Sequence, residues 1–208
     1  ASPLYGPNKT YIFDKSRYNN HGTITGATWI TLASGLKVLS FDGTDDVVAI
    51  AHNDVFNLSA TTGLSIMAWF RQAITNNGWQ GLIMKGGTTS WYVRFRNTGA
   101  VGLSVTEVGG GLDILNSTTI SFTVGKWYFF VVTYISGAAR LYLNNVLDAS
   151  GSPTNAIDTD TEVVRVGRNP AQPATFNGVI SAPRIFNRAL TASEVANYFN
   201  SEKHLFNV

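Results

Sequence analysis

Residues Trp127-Tyr128-Phe129-Phe130-Val131-Val132-Thr133-Tyr134-Ile135 decide the fold class. A half-exposed strand or amphipathic helix would carry polar residues along one face, and this run is apolar on both. Its β-branched and aromatic side chains favour extended backbone over a buried helix. The run therefore reads as a central strand covered on both sides. Downstream, Ala139–Asn144 reads as another strand and Asn144-Asn145 as a hairpin turn, because Asn accepts a positive φ at modest cost. Working outward, the same pattern recurs at Leu36–Phe41, Val47–His52, Leu64–Ala73, Leu82–Lys85, Trp91–Asn97 and Val101–Val105, then at Glu162–Val166 and Gly178–Phe186. Short apolar or alternating runs punctuated by Gly, Asn, Asp, Ser and Thr are the pattern of an all-β sandwich. In Trp91–Asn97 the period of two sends Trp91, Val93 and Phe95 to a core face and Tyr92, Arg94 and Arg96 to a partly wet one.

One helix is signalled. Thr191-Ala192-Ser193-Glu194 is a capping box. Leu190 and Val195 flank it as a hydrophobic staple, and Val195, Tyr198 and Phe199 form an apolar stripe that can dock on the sandwich. The helix is expected to run to about Ser201.

The chain has 208 residues, 44% hydrophobic and 13% charged, against about 25% charged in an average soluble domain. That balance excludes disorder. With no linker and no repeat, it points to one domain over residues 1–208. The net charge of +2 is too small and scattered for a nucleic-acid binder. There is no Cys, which excludes disulfides, thiolate metal sites and Cys nucleophiles. No apolar run approaches the ~18 residues of a membrane span. The chain opens at Ala1-Ser2-Pro3 with no initiator Met, and is read as a processed chain or an excised domain.

Several motifs in order resemble one family. They are Asp14-Lys15-Ser16-Arg17-Tyr18-Asn19-Asn20-His21-Gly22, Phe41-Asp42-Gly43-Thr44-Asp45-Asp46-Val47-Val48, Leu64 to Phe70, and Lys126-Trp127-Tyr128 with Val131 to Tyr134. Arg140 to Val146, Phe176-Asn177-Gly178 and Arg184 to Thr191 complete the series. Together they resemble a laminin-G-like domain of the concanavalin A-like lectin/glucanase superfamily, from Tyr11 to Asn200. The resemblance implies a jelly-roll sandwich of two antiparallel sheets with one short C-terminal helix, its final strands returning beside the first. Two departures stand out: Asn145 replaces a usual Gly, and Ser181-Ala182-Pro183 stands where many members carry acidic residues. Pro183 has no N–H and is expected at an edge or bulge.

Three chemistries follow. Calcium is the one cofactor implied: Asp42, Asp45 and Asp46 bracket one turn, with Asn19 and Asp14 expected to approach through the N-terminal segment. The alternative is a plain turn with Asp42 accepting backbone N–H bonds. Asp158, Asp160 and Glu162 form a second acidic group, read mainly as a solvated loop. For a glycan, Trp79, Tyr92, Arg94, Arg96 and Asn77 are the candidate contacts, with Trp79 in the loop-like Asn76-Asn77-Gly78-Trp79-Gln80-Gly81. Trp91 and Trp29 are further aromatics in reach, whereas Trp69 and Trp127 sit in core runs. For catalysis, the Glu residues Glu107, Glu162, Glu194 and Glu202 open no clustered-carboxylate motif, and His21 reads as a turn residue. The expectation is a non-catalytic carbohydrate-binding or adhesion module of a larger extracellular or virion-surface protein. Its partner would be a glycan or polysaccharide. The alternatives are an assembly domain that contacts other protein subunits and, behind it, a glycan-degrading enzyme.

Overall fold

The computed structural model describes residues 10–208 apart from 60, 76–77, 87–88, 107–111, 155–156 and 171–174. The run that decided the fold class is β11 (Trp127–Ile135), which pairs antiparallel with β6 (Leu64–Gln72) on one side and β12 (Ala138–Leu143) on the other. β6 continues to β15 (Asn177–Phe186), β4 (Lys37–Asp42) and β3 (Thr28–Thr31), while β12 continues to β13 (Val146–Gly151), giving a seven-stranded sheet. Asn144 (φ 48) and Asn145 (φ 68) form the β12–β13 hairpin turn, both in the left-handed region.

The second sheet has eight strands, in the spatial order β1 (Tyr11–Ile12), β2 (Gly22–Thr25), β5 (Val47–Ile50), β14 (Val164–Val166), β7 (Gly81–Lys85), β8 (Trp91–Phe95), β9 (Val101–Thr106) and β10 (Leu112–Asn116). All described pairings are antiparallel. The sequence had not revealed β1, β2, β3, β10 or β13. They are short or polar strands, and β1, β3, β10 and β13 are edge strands, so their sequences carry few apolar residues in alternation.

Strand alternation builds two apolar layers. Ile66, Ala68 and Phe70 of β6 and Phe130, Val132 and Tyr134 of β11 meet Trp91, Val93 and Phe95 of β8 between the sheets. Met67, Trp69, Phe129 and Val131 point the other way, beneath α1 (Ala192–Phe206). This is why β6 and β11 are apolar on both faces. The capping box forms as read, with Thr191 accepting from the Glu194 N–H and Glu194 accepting from the Thr191 N–H. Leu190 and Val195 are buried beside it.

The helix continues past the expected Ser201 to Phe206. Its last turn completes the docking: Phe206 stacks on Trp69 at 4.2 Å, and Trp69 Nε1 donates to Glu202 at 2.8 Å. Asn207 then adopts the left-handed conformation (φ 57) and closes the helix. Pro183 sits where the β15–β6 register shifts between Ser181 and Arg184, so its missing N–H removes no ladder bond. Among the described residues no helix is long and apolar enough to cross a membrane.

Candidate functional site

β8 places Arg94 between two glycines, opposite Gly81 of β7 and Gly102 of β9. Neither position has room for a Cβ. At Gly81 it would lie 2.7 Å from the Arg168 carbonyl, and at Gly102 it would lie 2.5 Å from Asn116 Oδ1. On this side of the sheet, away from the core, half-buried Trp79 gathers both arginines. The Arg94 guanidinium lies 4.4 Å from the indole centroid and that of Arg96 lies 4.6 Å from it. Arg94 also covers the Tyr92 ring at 4.6 Å.

Burial pulls the Arg94 pKa below its ordinary value and the Arg96 charge adds to the pull, while Tyr92 opposes it. Arg94 Nε is buried without a hydrogen-bond partner. The structure thus joins Trp79, Tyr92, Arg94 and Arg96, and corrects one expectation: Tyr92 is on the predicted face but is not wet. It is 1% exposed, in a row with Met84 and Ser104, and Arg94 lies over its ring. Asn77 lies outside the described residues. Trp91 is withdrawn from the candidates, since it is fully buried with Nε1 donating to the Phe56 carbonyl at 2.9 Å.

The acidic turn lies between β4 and β5. Carboxylate oxygens of Asp42, Asp45 and Asp46 come within 4.8 Å of one another. Asp46 is buried against Gly26, whose φ of 76 and missing side chain permit the approach. Burial raises the Asp46 pKa, the N–H donated by Asp42 lowers it, and the charges of Asp42 and Asp45 raise it further. Asp42 also accepts the Thr44 N–H at 2.7 Å, the plain-turn bond foreseen from sequence.

Asp14 and Asn19 do not join this turn. In the β2–β5 ladder Gly22 faces Ile50 and Thr25 faces Val47, so the Asp14–His21 loop and the Asp42–Asp46 turn adjoin opposite ends of β5. The Asp14 carboxylate is instead engaged by the Ser16 N–H, the Ser16 hydroxyl and the Asn20 N–H at 2.7–2.9 Å. Asn19 adopts a left-handed turn conformation (φ 54), and His21 Nδ1 accepts the Asp14 N–H, a turn role as expected.

Two features had no sequence signal. Arg168 donates to the Asp45 carbonyl at 3.2 Å, and its neighbour Asn169 donates to the Trp79 carbonyl at 3.1 Å, so two adjacent residues tie the acidic turn to the tryptophan. Lys85 is fully buried, its ammonium bonded to the Asp160 carboxylate and, at 2.8 Å, to the Asp160 carbonyl. The second acidic group is therefore partly a clamp, and Thr89 holds the other Asp160 oxygen at 2.6 Å.

An open cleft of about 390 Å³ lies beside Asp42 over the seven-stranded sheet, with Arg71, Asn177, Ser40, Ile30 and Val179 in its lining. The three described Glu residues are committed elsewhere: Glu162 to Arg165, Glu194 to Arg188 and Thr191, and Glu202 to Trp69 and Arg184.

Two antiparallel sheets packed face to face, closed by one C-terminal helix, define a jelly-roll β-sandwich. Residues 42–196, well over half of the chain, match the laminin-G family model of the concanavalin A-like lectin/glucanases superfamily, and the chain belongs to that family. Among solved structures it is similar to the binding domain of Paraclostridial mosquitocidal protein 1, at 17% identity and a TM-score of 0.76, covering 92% of this chain and 52% of that one. It is also similar to the botulinum neurotoxin serotype D ligand-binding domain in complex with N-acetylneuraminic acid, at 18% identity and a TM-score of 0.71, covering 91% and 48%. A third is a botulinum neurotoxin type C structure, at 18% identity and a TM-score of 0.69, covering 92% and 51%. The chain spans about half the length of these structures, and the likeness is one of fold. No curated protein matches the sequence.

Proposed function

We propose that this chain is a non-catalytic carbohydrate-binding or adhesion module of a larger extracellular or virion-surface protein. The observation that carries the reading is the Trp79–Arg94–Arg96 cluster, an indole and two planar cations gathered on the sheet face away from the core. Planar donors held against aromatic rings suit polyhydroxylated ligands, whose oxygens accept from them. Asn77, two residues before Trp79, remains a proposed contact. The type D neurotoxin domain was solved with N-acetylneuraminic acid, and cell entry of the type C toxin depends on interaction with two ganglioside molecules. Those ligands belong to chains twice as long, so the weight falls on the residues of this one.

Calcium is proposed as a structural ion at Asp42, Asp45 and Asp46. One oxygen from each supplies three of the roughly six to eight ligands calcium takes, leaving backbone carbonyls and water to complete the shell. Burial is the main cause of the raised Asp46 pKa, and a cation there would relieve the repulsion by Asp42 and Asp45 that adds to it. Through Arg168 and Asn169 it would also steady the Trp79 backbone.

The test is a glycan array in calcium, repeated in chelator. Selective binding that weakens on chelation is the expected result. Silence in both conditions sinks the glycan reading.

A second reading, assembly with other protein subunits, is favoured by the edge strand β13, whose Val146 and Leu147 are 67% and 50% exposed. Under it, light scattering would show a concentration-dependent mass that Val146→Lys abolishes. A monomer at all concentrations removes self-assembly.

A further inference from the structure

The same cluster restricts the chemistry of its ligand, an inference that rests on the binding-module reading above. The Trp79 indole is not a free stacking platform, because two guanidiniums already lie 4.4 and 4.6 Å from its centroid. A neutral sugar seeking the indole face would have to compete with them.

Arg94 is different. It contacts two rings, Trp79 at 4.4 Å and Tyr92 at 4.6 Å, and Tyr92 is itself held buried. A guanidinium stacked on a ring keeps the N–H donors in its plane available to a ligand. Among the described residues no carboxylate or carbonyl accepts from Arg94, and its Nε is buried without a partner. Among the described residues the arginine is thus held by two rings, partly desolvated and without a neutralising carboxylate. A carboxylate has two oxygens spaced for that in-plane fork, and partial burial strengthens such a charge-assisted pair. It would also offset the repulsion between the two arginines.

We infer that the module selects carboxylate-bearing saccharides, such as sialylated or uronic-acid glycans, and that the carboxylate sits on the terminal edge formed by the two Arg94 Nη groups. Trp79 and Tyr92 act as positioning residues that hold this edge toward the ligand. Arg96 adds positive charge beside it.

The experiment uses the intact chain on an array of neutral, sulfated, sialylated and uronic-acid oligosaccharides. The best carboxylated hit is then remeasured after its carboxyl is reduced to a primary alcohol. That change alters the ligand and leaves the protein untouched. The expected result is a set of hits confined to carboxylated glycans, weakened roughly tenfold or more by the reduction, as befits a lost charged hydrogen-bond pair. Arg94→Lys, which keeps the charge and loses the fork, is expected to weaken the same hit comparably with its melting temperature retained. Equal binding of the reduced ligand overturns the carboxylate assignment and leaves the module reading standing. Preference for sulfated over carboxylated glycans likewise overturns it. Failure of every glycan to bind overturns both.

Discussion

Lys85 carries an ammonium group to a position with no solvent exposure. A lone buried charge is costly, so the Asp160 carboxylate and carbonyl that receive it hold the 158–162 segment against the strand. Asp160→Asn would leave the ammonium with weaker partners, and a loss of about 3 kcal/mol is expected in denaturant melts. Lys85→Met removes the demand together with the charge and is expected to cost less, because apolar replacements of buried pairs are often tolerated. Burial raises the Asp160 pKa, but the bonds from Lys85, Thr89 and the Glu162 N–H outweigh it, and the net shift is downward. The pair therefore stabilises the fold above the ordinary carboxylate pKa, and its contribution is lost as pH falls through the lowered value. Nothing in the sequence marked Lys85 as buried: it closed the strand Leu82–Lys85, and Lys is almost never fully buried unless paired. Its partner lies 75 residues away.

At the scale of elements, α1 divides into a part the sequence shows and a part it does not. The capping box is a local motif and was fully legible. Thr191→Ala is expected to cost ~1 kcal/mol, read as a lower melting temperature. Glu194 is held by Arg188 and Thr191, which take its pKa from 4.5 to about 2. A depressed carboxylate stabilises the fold above its unfolded pKa, so this anchoring is expected to weaken between pH 4.5 and about 2, followed as loss of helical dichroism. The last turn was missed because Leu205 and Phe206 follow the polar stretch Ser201-Glu202-Lys203-His204, and what holds them is tertiary: Trp69 and Trp127. Phe206→Ala is expected to cost about 3–5 kcal/mol, as for other large aromatics removed from packed sites. An unchanged unfolding midpoint would show that the last turn is not part of the core. The long central strands were legible for the opposite reason. Both their faces are buried, so composition alone marks them.

For the whole molecule, long-range pairing governs what could be read. The acidic turn was visible because its three residues are nearly contiguous. The reach of Asp14 and Asn19 toward it failed because the β2–β5 register places their loop at the other end. The Arg168–Asp45 bond spans 123 residues and leaves no local trace. If calcium binds the turn, it should stabilise the entire sandwich by mass action, about 2.7 kcal/mol at 100 times its dissociation constant. Calorimetry of calcium-loaded and chelated protein checks this. Identical melting temperatures would remove the ion from the turn.

β15 lies inside the seven-stranded sheet, between β4 and β6, yet it is the last of the described strands in sequence. During synthesis or export, then, β4 and β6 both wait with unpaired edges until residues 177–186 emerge. Any fragment ending earlier keeps those edges open to foreign strands. Such a topology couples emergence of residues 177–186 to closure of the sheet, and it favours slow folding, because contacts between distant segments must close before they stabilise anything. Nascent chains stalled short of Asn177 should therefore be protease-sensitive and prone to aggregate, and emergence of the segment through Phe186 should bring protection in a single step.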